Sequence, residues 1–432
     1  MRTESLLQPI GWKPLLNGGL LARTRSAIAD LSAGLLSVSP RDVRDPYFRN
    51  GYAGLALAHA ALESACPGKG HMERAHSLLL RSIEYLQRNA AHFGFYDGFT
   101  GVAWVIEHLS RYSAMGLADD PNNGVDLVLG KLLARRRRWR GPYDLGDGLV
   151  GLTVYLLARM PRPSARALLA RVVDRLAEIS EPQPPGIAWR SRPEWVTPRA
   201  RRLLTQNHLP YPAWNLGIAN GISGIIAALA AICALDIAIP RARRLLQGAV
   251  TWLLGHELPN GARGCFPGLI RQGVASDPAR TAWCYGDPGI AAALLAAARA
   301  LDEPDWEREA IRIGLSAATR PFGDTGVLDG GLCHGSAGLA HVFHHLYRAT
   351  GERSFAKAAR RWIARTLALR RPGKGIGGFL AWSRGYDPPP PWRPVPGFIR
   401  GAAGITLALL AATTSIPPRW DCVLLLSREV LE

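Results

Sequence analysis

Two kinds of helical pattern alternate along the chain. Segments with apolar residues at helical spacing and charges on the opposite side, such as residues 75–86 and 355–363, predict amphipathic helices at the surface. Between them lie short runs that are apolar on every side, such as residues 55–58 and 225–228, which predict buried helices. The chain is therefore predicted to be all-α, with outer amphipathic helices and inner apolar ones.

A Gly-x-x-Gly motif precedes each apolar run. The seven motifs begin at residues 51, 98, 148, 221, 286, 335 and 401, and successive starts are 47, 50, 73, 65, 49 and 66 residues apart. Repetition at such a period is typical of a repeat architecture. Seven helix pairs predict an α/α toroid, with an inner ring of helices inside an outer ring, in a single domain over residues 1–432.

The residue before each motif is polar in all seven copies. These residues are Asn50, Asp97, Asp147, Asn220, Tyr285, His334 and Arg400. Burying such groups without partners is costly, so we expect them to line one polar cavity where the motif loops converge. The long third spacing predicts a small insertion at about residues 160–213. Residues 375–396, rich in proline and glycine, predict a loop that covers the cavity.

Composition excludes several classes of protein. With 48% hydrophobic and 20% charged residues, the chain has enough apolar side chains for a large core. Its net charge of +18 comes from arginine, since only five of the 52 basic residues are lysine. The chain has no recognisable nucleic-acid-binding module, so nucleic acid is not an expected partner. The arginine run at residues 135–140 predicts either a solvated loop or a site for an anion or acidic peptide.

Cysteine usage and hydropathy indicate the compartment. Six cysteines are too few for a disulfide framework in a chain of 432 residues, which favours a reducing environment. The N-terminus lacks a signal pattern, and the most apolar run, residues 221–235, is too short for a transmembrane helix. We therefore expect a cytoplasmic protein without a membrane span.

Two fragments at the fifth and sixth motifs contain metal-ligand residues. Cys284 lies beside the fifth motif, and Cys333 and His334 lie beside the sixth. A single buried cysteine is commonly a small hydrophobic residue, but two at equivalent motif positions, one next to a histidine, predict a Zn²⁺ site. Three protein ligands with a fourth position open are typical of a catalytic zinc. Two thiolate ligands favour addition of a substrate thiol over hydrolysis.

These residues carry a family resemblance. Trp-Cys-Tyr-Gly-x-Pro-Gly at residues 283–289, Cys-His-Gly at residues 333–335 and the seven repeats resemble the lanthionine synthetase C family. The resemblance spans the chain from about Asn50 to Leu410 and implies that Cys284, Cys333 and His334 bind a catalytic zinc. It implies a cyclase that adds cysteine thiols of a dehydrated precursor peptide to dehydrated serine or threonine, forming thioether rings. A dehydratase and a transporter complex are the partners expected on this basis.

Four further residues match motifs of the family. Asp144 is expected to take part in proton transfer at the substrate, and Arg280 is expected to stabilise the enolate that thiol addition leaves. Trp283 and Tyr285 flank the first cysteine and are expected at the catalytic site. The alternatives are that Asp144 caps a loop and that Arg280 forms a structural ion pair.

The fourth repeat departs from the family. There the family usually has His-Gly, and this histidine is the favoured proton donor, but the chain has Asn220-Gly221. An asparagine side chain cannot deliver a proton at neutral pH. Three outcomes remain: Asn220 orients a water that supplies the proton, His208 substitutes for the histidine, or cyclisation is slow or absent.

Two other functions remain open. The loss of the histidine and the high positive charge are compatible with a non-catalytic scaffold that binds a modified peptide or partner enzymes. Toroids also include glycosidases that use paired carboxylates, and Asp97, Asp144 and Asp147 are the candidates for that chemistry. A glycosidase would leave the Cys-Cys-His set unexplained.

Overall fold

The computed structural model of the protein describes residues 12–43, 45–112, 120–195, 213–259, 262–382 and 391–427. In chain order, its α-helices are α1 (Gly18–Ser37), α2 (Tyr52–Ala65), α3 (His71–Arg88), α4 (Phe99–Tyr112), α5 (Asn123–Leu133), α6 (Leu149–Ala158), α7 (Pro163–Ile179), α8 (Ile222–Cys233), α9 (Ile239–Leu254), α10 (Asp287–Leu301), α11 (Pro304–Thr319), α12 (Ser336–Thr350), α13 (Arg353–Ala368) and α14 (Ala402–Thr413). The even-numbered helices are buried over most of their length, whereas the odd-numbered ones bury a single face. The predicted alternation of inner and outer helices is confirmed.

The inner helices form a closed ring. Each even-numbered helix packs against the next, and α14 packs against α2. The outer helix α1 packs on α14, so the first and last helices of the chain form the seventh pair. The fold is thus the predicted α/α toroid, closed by its N-terminal helix. Within the described ranges, no helix is both long and apolar enough to cross a bilayer.

All seven inner helices start at the same end of the toroid, which we call the mouth. Each begins one residue after the first glycine of its motif, so the motif loops gather there. Neighbouring backbone leaves no space for a side chain at these glycines: a Cβ at Gly51 would lie 2.0 Å from the Asp45 carbonyl oxygen. Because the outer helices run in the opposite direction, the connections from each outer helix to the next motif also lie at the mouth.

Short antiparallel strands lie in three of these connections. They are β1 (Glu181–Gln183), β2 (Gly186–Ala188), β3 (Arg190–Ser191), β4 (Ala213–Asn215), β5 (Leu269–Ile270), β6 (Ala381–Trp382) and β7 (Trp392–Arg393). The sheets have the orders β1-β2, β3-β4-β5 and β6-β7. In the predicted insertion at residues 160–213, α7 is the outer helix of the third repeat, and the strands follow it. Strands β6 and β7 lie within residues 375–396, whose covering role stays a prediction.

Backbone hydrogen bonds join the seven motif loops into a closed ring. The N–H donors and C=O acceptors are Arg49 to Tyr96, Tyr96 to Gly146, Leu145 to Ala219, Ala219 to Cys284, Cys284 to Cys333, Cys333 to Ile399 and Ile399 to Arg49. Six of the seven donors lie two residues before a motif glycine. Neighbouring loops are therefore held at hydrogen-bond distance whatever their separation in sequence.

The C-terminal segment packs inside the ring. The 3₁₀ helix Arg419–Leu424 is buried, apart from its first residue. The Tyr96 hydroxyl donates to the Val423 carbonyl over 3.0 Å, and the Trp283 indole donates to the Leu424 carbonyl over 2.9 Å. Asp421 accepts from His341 of α12 at 2.9 Å. Since these partners come from three different repeats, the segment fills the channel below the motif loops.

A buried arginine joins the second and third repeats. Arg159, next to the end of α6, has no exposed surface. Its guanidinium donates to Glu107 of α4 at 2.7 Å, to Asp126 of α5 at 2.7 Å and to Asp120 at 2.5 Å. The Tyr155 hydroxyl also donates to Asp126, at 2.7 Å. The network places one fully buried cation among three carboxylates, and the more exposed Arg111 and Arg162 also pair with Glu107.

Candidate metal centre

Cys284, Cys333 and His334 come together at the mouth. Their ligand atoms all lie within 4.8 Å of one another, and the described residues contain no other group of three or more metal-ligand side chains so arranged. The Cys284 N–H donates to the Cys333 carbonyl over 3.2 Å, because their loops are neighbours in the backbone ring. The ring therefore brings together two sulfur atoms that are 49 residues apart in sequence.

The two thiols differ in protonation. The hydrogen bond between the two sulfur atoms lowers the pKa of Cys333 well below its usual range, and a hydrogen bond with His334 lowers it further. The same sulfur–sulfur hydrogen bond, together with burial, raises the pKa of Cys284. The two sulfur atoms are thus expected to share one proton, which metal binding would release.

The three side chains fit a Zn²⁺ ion. Two thiolates and one imidazole are ligands that zinc takes, and three protein ligands leave one tetrahedral position for a substrate. Cys66, Cys233, Cys265 and Cys422 are not part of the group. Burial raises the pKa of Cys233 to about 11, so that thiol stays protonated. The chemistry of the donor set therefore distinguishes Cys284 and Cys333 from an ordinary buried cysteine.

A chain of hydrogen bonds links the metal loop to Asp144. The Asn215 amide donates to the Tyr285 hydroxyl over 2.9 Å, and that hydroxyl donates to the Asn220 amide oxygen over 3.4 Å. The Asn220 side chain is in turn close enough to the Asp144 carboxylate to lower its pKa. Asn220 is therefore fixed between the tyrosine next to Cys284 and a carboxylate of the third motif loop.

Asp144 has a perturbed acidity. Desolvation by the surrounding protein raises its pKa from 3.8 to about 6, although hydrogen bonds from Asp147 N and Asn220 oppose the rise. Asp147 N–H donates to Asp144 Oδ1 at 2.8 Å, so the carboxylate also caps its own loop. Desolvation likewise raises the pKa of Tyr285. Asp144 is therefore a carboxylic acid that can exchange a proton near neutral pH.

Arg280 and Trp283 occupy different environments. Arg280 is exposed, and its charge lowers the pKa of Cys284, which places the guanidinium near the sulfur pair. Trp283 is only 1% exposed, and its N–H is bonded to the C-terminal segment. Arg280 is thus accessible to a substrate, whereas Trp283 holds the Cys284 loop on the segment beneath it.

A buried ion pair holds the segment that carries Arg280 and Cys284. Asp287, at the start of α10, bonds to Arg320 at 2.5 Å and accepts the N–H groups of Cys265 and Phe266. Arg320 also donates to the Thr281 hydroxyl at 2.7 Å. The loop that carries Cys284 is therefore held by Arg320, which follows the outer helix α11, as well as by the C-terminal segment.

Arg49 is a further charged residue at the mouth. Its guanidinium pairs with Asp97 at 2.6 Å and lies 5.5 Å from the centre of the Tyr96 ring. A Cβ at Gly146 would lie 3.4 Å from Arg49 Nη2 and 3.5 Å from Asp144 Oδ1. The positive charge of Arg49 also lowers the pKa of Cys333. Arg49 therefore faces both the sulfur pair and the carboxylate that is expected to transfer a proton.

Sequence reasoning missed Arg49 and Asn215. Arg49 lies two residues before its motif, at the position equivalent to Cys284 and Cys333, so the repeat alignment contained the signal for it. Asn215 lies in β4, six residues before the fourth motif, and no sequence pattern marked it. His208, the alternative proton donor, lies outside the described residues.

Strands β6 and β7 lie at the mouth, near the sixth and seventh motif loops. Asp329 accepts the Trp382 N–H at 2.9 Å and the Gly331 N–H at 3.1 Å. Arg400 donates to the Trp382 carbonyl. Strand β6 is therefore attached to both loops, next to the loop that carries Cys333.

The fold and the site define the protein as a helical toroid with a candidate cysteine and histidine metal centre at its mouth. Residues 42–425 match the family described as lanthionine synthetase C-like protein. The chain belongs to this family, and the resemblance read from its motifs is confirmed.

The similar proteins include two curated relatives and one solved structure. The chain is 23% identical over 331 residues to glutathione S-transferase LANCL1 of Danio rerio, covering 75% of this chain and 74% of the relative. It is also 23% identical over 325 residues to nisin biosynthesis protein NisC of Lactococcus lactis subsp. lactis, covering 71% and 74%. Nisin cyclase matches with a TM-score of 0.73 at 20% sequence identity, covering 94% of this chain and 97% of that chain. That match shows the toroid fold.

Proposed function

We propose that the protein is a zinc-dependent peptide cyclase that forms lanthionine-type thioether rings. The observation that carries the proposal is the Cys284, Cys333 and His334 group, held at the mouth of a toroid that belongs to this family. Zinc, when bound there, supplies the acidity that turns a substrate cysteine thiol into a nucleophilic thiolate at neutral pH. The substrate is a precursor peptide in which serine or threonine has already been dehydrated.

The charged side chains around the metal centre would serve the addition step. The thiolate attacks the β-carbon of a dehydroamino acid, and negative charge develops on the carbonyl oxygen of that residue. Arg280 is exposed and close to the sulfur pair, so it is placed to stabilise this oxygen. Arg49 is held by Asp97 at the mouth and adds positive charge near the sulfur pair.

Asp144 is the acid that we assign to the last step. The enolate carbon needs a proton, and Asn220 cannot supply one because an amide does not titrate near neutral pH. Asp144 lies next to the Asn220 side chain and has its pKa raised to about 6. In this proposal Asn220 orients Asp144, and the carboxylic acid protonates the enolate carbon directly or through a water.

A synthetic peptide that carries one cysteine and one dehydroalanine provides the test. We expect the zinc-loaded protein to close the thioether ring, which protects the cysteine from iodoacetamide without changing the mass of the peptide. Mass spectrometry after alkylation distinguishes the cyclised peptide from the linear one. A non-catalytic scaffold would leave the thiol open to alkylation at the rate of the protein-free control.

The pH dependence of the reaction tests the role of Asp144. The protonated acid is the active form, so with a pKa of about 6 the kcat should fall as pH rises through that value. Asp144→Asn should lower kcat by about 10²- to 10⁴-fold and remove this alkaline limb. Asn220→His is expected to raise kcat above pH 7 by supplying a second donor. An unchanged pH profile in Asp144→Asn would show that another group gives the proton.

A second candidate reaction is the addition of a soluble thiol to a dehydrated peptide. It is favoured by the 23% identity to a relative named as a glutathione S-transferase, which equals the identity to the nisin protein. The same metal centre would accept either thiol. Adding glutathione to a dehydroalanine peptide without cysteine tests it, since transfer would raise the peptide mass by that of glutathione. The dehydratase, the transporter complex and the cytoplasmic location stay predictions from sequence.

A further inference from the structure

Four consecutive arginines lie at the mouth of the toroid. Arg135, Arg136, Arg137 and Arg138 follow the end of the outer helix α5, and Arg140 comes two residues later. This connection leads directly into the motif loop that carries Asp144. The five side chains, which we call the arginine rim, are therefore on the same face of the toroid as the metal centre.

The backbone of the arginine rim is held in place. Arg175 of α7 donates to the carbonyl groups of Leu133 and Arg137 at 2.9 and 3.2 Å, and also to that of Arg135. Trp139 is 8% exposed and bonds through its N–H to Glu178 at 3.0 Å. The backbone of the run is thus attached to α7 at four points.

The charges of the rim are directed to solvent. All five rim side chains are exposed. Arg138 donates to the Glu178 carbonyl oxygen over 3.2 Å, while the Glu178 carboxylate pairs with Arg175 at 2.7 Å and Asp174 pairs with Arg241. Folding gains nothing from four adjacent like charges, because they repel each other. Their fixed exposure is better explained by an anionic partner.

Aromatic contacts connect the rim to the loop that carries Asp144. The Trp195 indole donates to the Arg140 carbonyl over 3.2 Å, and its ring meets Tyr143 edge-on at 5.6 Å. Tyr143 immediately precedes Asp144 in the chain. Arg192 lies over the Trp195 ring at 5.6 Å and adds a further cation. These contacts therefore join the backbone of the rim to the loop that carries Asp144.

We propose that the arginine rim binds an acidic segment of the peptide substrate while another part of that peptide reaches the metal centre. The inference rests on the proposed cyclase function, because it gives the same substrate a second point of attachment. Guanidinium groups pair with carboxylates in a bidentate geometry, which favours aspartate and glutamate side chains. A flat anionic membrane on the same face would cover the mouth and block the entry of the peptide.

Binding of a fluorescein-labelled Glu-rich peptide, followed by anisotropy with the full-length protein, tests the rim. The variant Arg135→Gln/Arg136→Gln/Arg137→Gln should weaken binding about tenfold at low salt, since each exposed ion pair contributes a modest amount. Added salt should reduce the difference because it screens exposed charges. The peptide with every Glu replaced by Gln should bind wild type no better than it binds the variant.

A charge-matched variant at the other end of the toroid is the control. Arg243, Arg244 and Arg353 are exposed and lie in the first halves of outer helices, away from the mouth. Replacing these three with glutamine removes the same charge and should leave peptide binding within about twofold of wild type. Equal weakening by both variants would overturn the proposal, as would equally tight, rim-dependent binding of phosphatidylglycerol vesicles or single-stranded DNA.

The failure of this inference can be separated from failure of the proposed function. Peptide binding needs no turnover, whereas ring closure is scored by protection from alkylation. If the rim acts as proposed, the rim variant should raise the KM of a dehydroalanine and cysteine peptide with a Glu-rich extension and leave its kcat unchanged. If the Glu-rich extension does not change the KM, the proposed role of the rim is overturned. If no ring forms although the peptide still binds through the rim, only the proposed cyclase function is overturned.

Discussion

Replacing Cys333 with alanine is expected to abolish stoichiometric zinc binding and ring formation together. Loss of a residue that merely orients a metal ligand costs 10- to 100-fold in affinity or activity, so loss of a ligand should cost more than about 100-fold. Cys333 is also the sulfur whose pKa is lowered well below its usual range by its hydrogen bond with Cys284. Removing it takes away one of the two sulfur ligands and the hydrogen bond between them.

Metal content by elemental analysis and ring closure by alkylation with mass spectrometry are the two readouts. Cys233→Ala is the matched control, because Cys233 is buried in α8 and lies outside the metal group. It should keep one zinc per chain and wild-type activity. A Cys333→Ala protein that still closes rings would contradict the proposed mechanism, and zinc loss in both variants would indicate general unfolding.

Replacing Arg159 with methionine is expected to lower the free energy of unfolding by about 3–5 kcal/mol, because it removes one partner of a buried ion network. Asp126 is 6% exposed and would be left as a carboxylate without a cation inside the helix layers. Glu107, 7% exposed, would keep only its ion pairs with Arg111 and Arg162. The guanidinium makes six hydrogen bonds to three acids, so no single neighbouring side chain can replace it. The expected loss is a large fraction of the stability of an ordinary domain.

Urea unfolding measures the effect, and Arg162→Met is the control. Arg162 bonds to the same Glu107 at 2.9 Å, but its side chain is 36% exposed. Its loss should cost at most about 1 kcal/mol, as expected for a partly exposed ion pair. If unfolding is not two-state, hydrogen exchange of α5 and α6 should rise selectively in Arg159→Met. Equal stability of the two variants would show that the network contributes little.

Much of the fold was predictable because it depends on local sequence patterns. Helix type depends on whether apolar residues cover one face or all faces, and this is visible in segments as short as residues 225–228. The glycines that precede the inner helices repeat seven times, so the ring size followed from counting them. The sequence did not predict α1 as part of the outer ring, because no motif precedes it and its partner α14 lies at the far end of the chain.

The candidate site was predictable only in part. Cys284, Cys333 and His334 stand at repeat positions that carry an obvious chemistry, so their meeting could be inferred from the toroid. The roles proposed for Asp144 and Asn220 required coordinates, since their proximity and the raised pKa of Asp144 depend on burial by other loops. The environment of Trp283 also depends on a segment that lies 141 residues away in the chain.

The sequence by itself determined the seven repeats, the inner and outer helices and the three candidate metal ligands. Each of these depends on residue type at a regular spacing, which a single chain displays without its partners. Only the tertiary structure decided that Arg49 faces the sulfur pair, that Asn215 holds Tyr285 and that the C-terminal segment fills the channel. Those contacts exist because backbone hydrogen bonds close the ring of motif loops, and closure brings together residues that no local pattern relates.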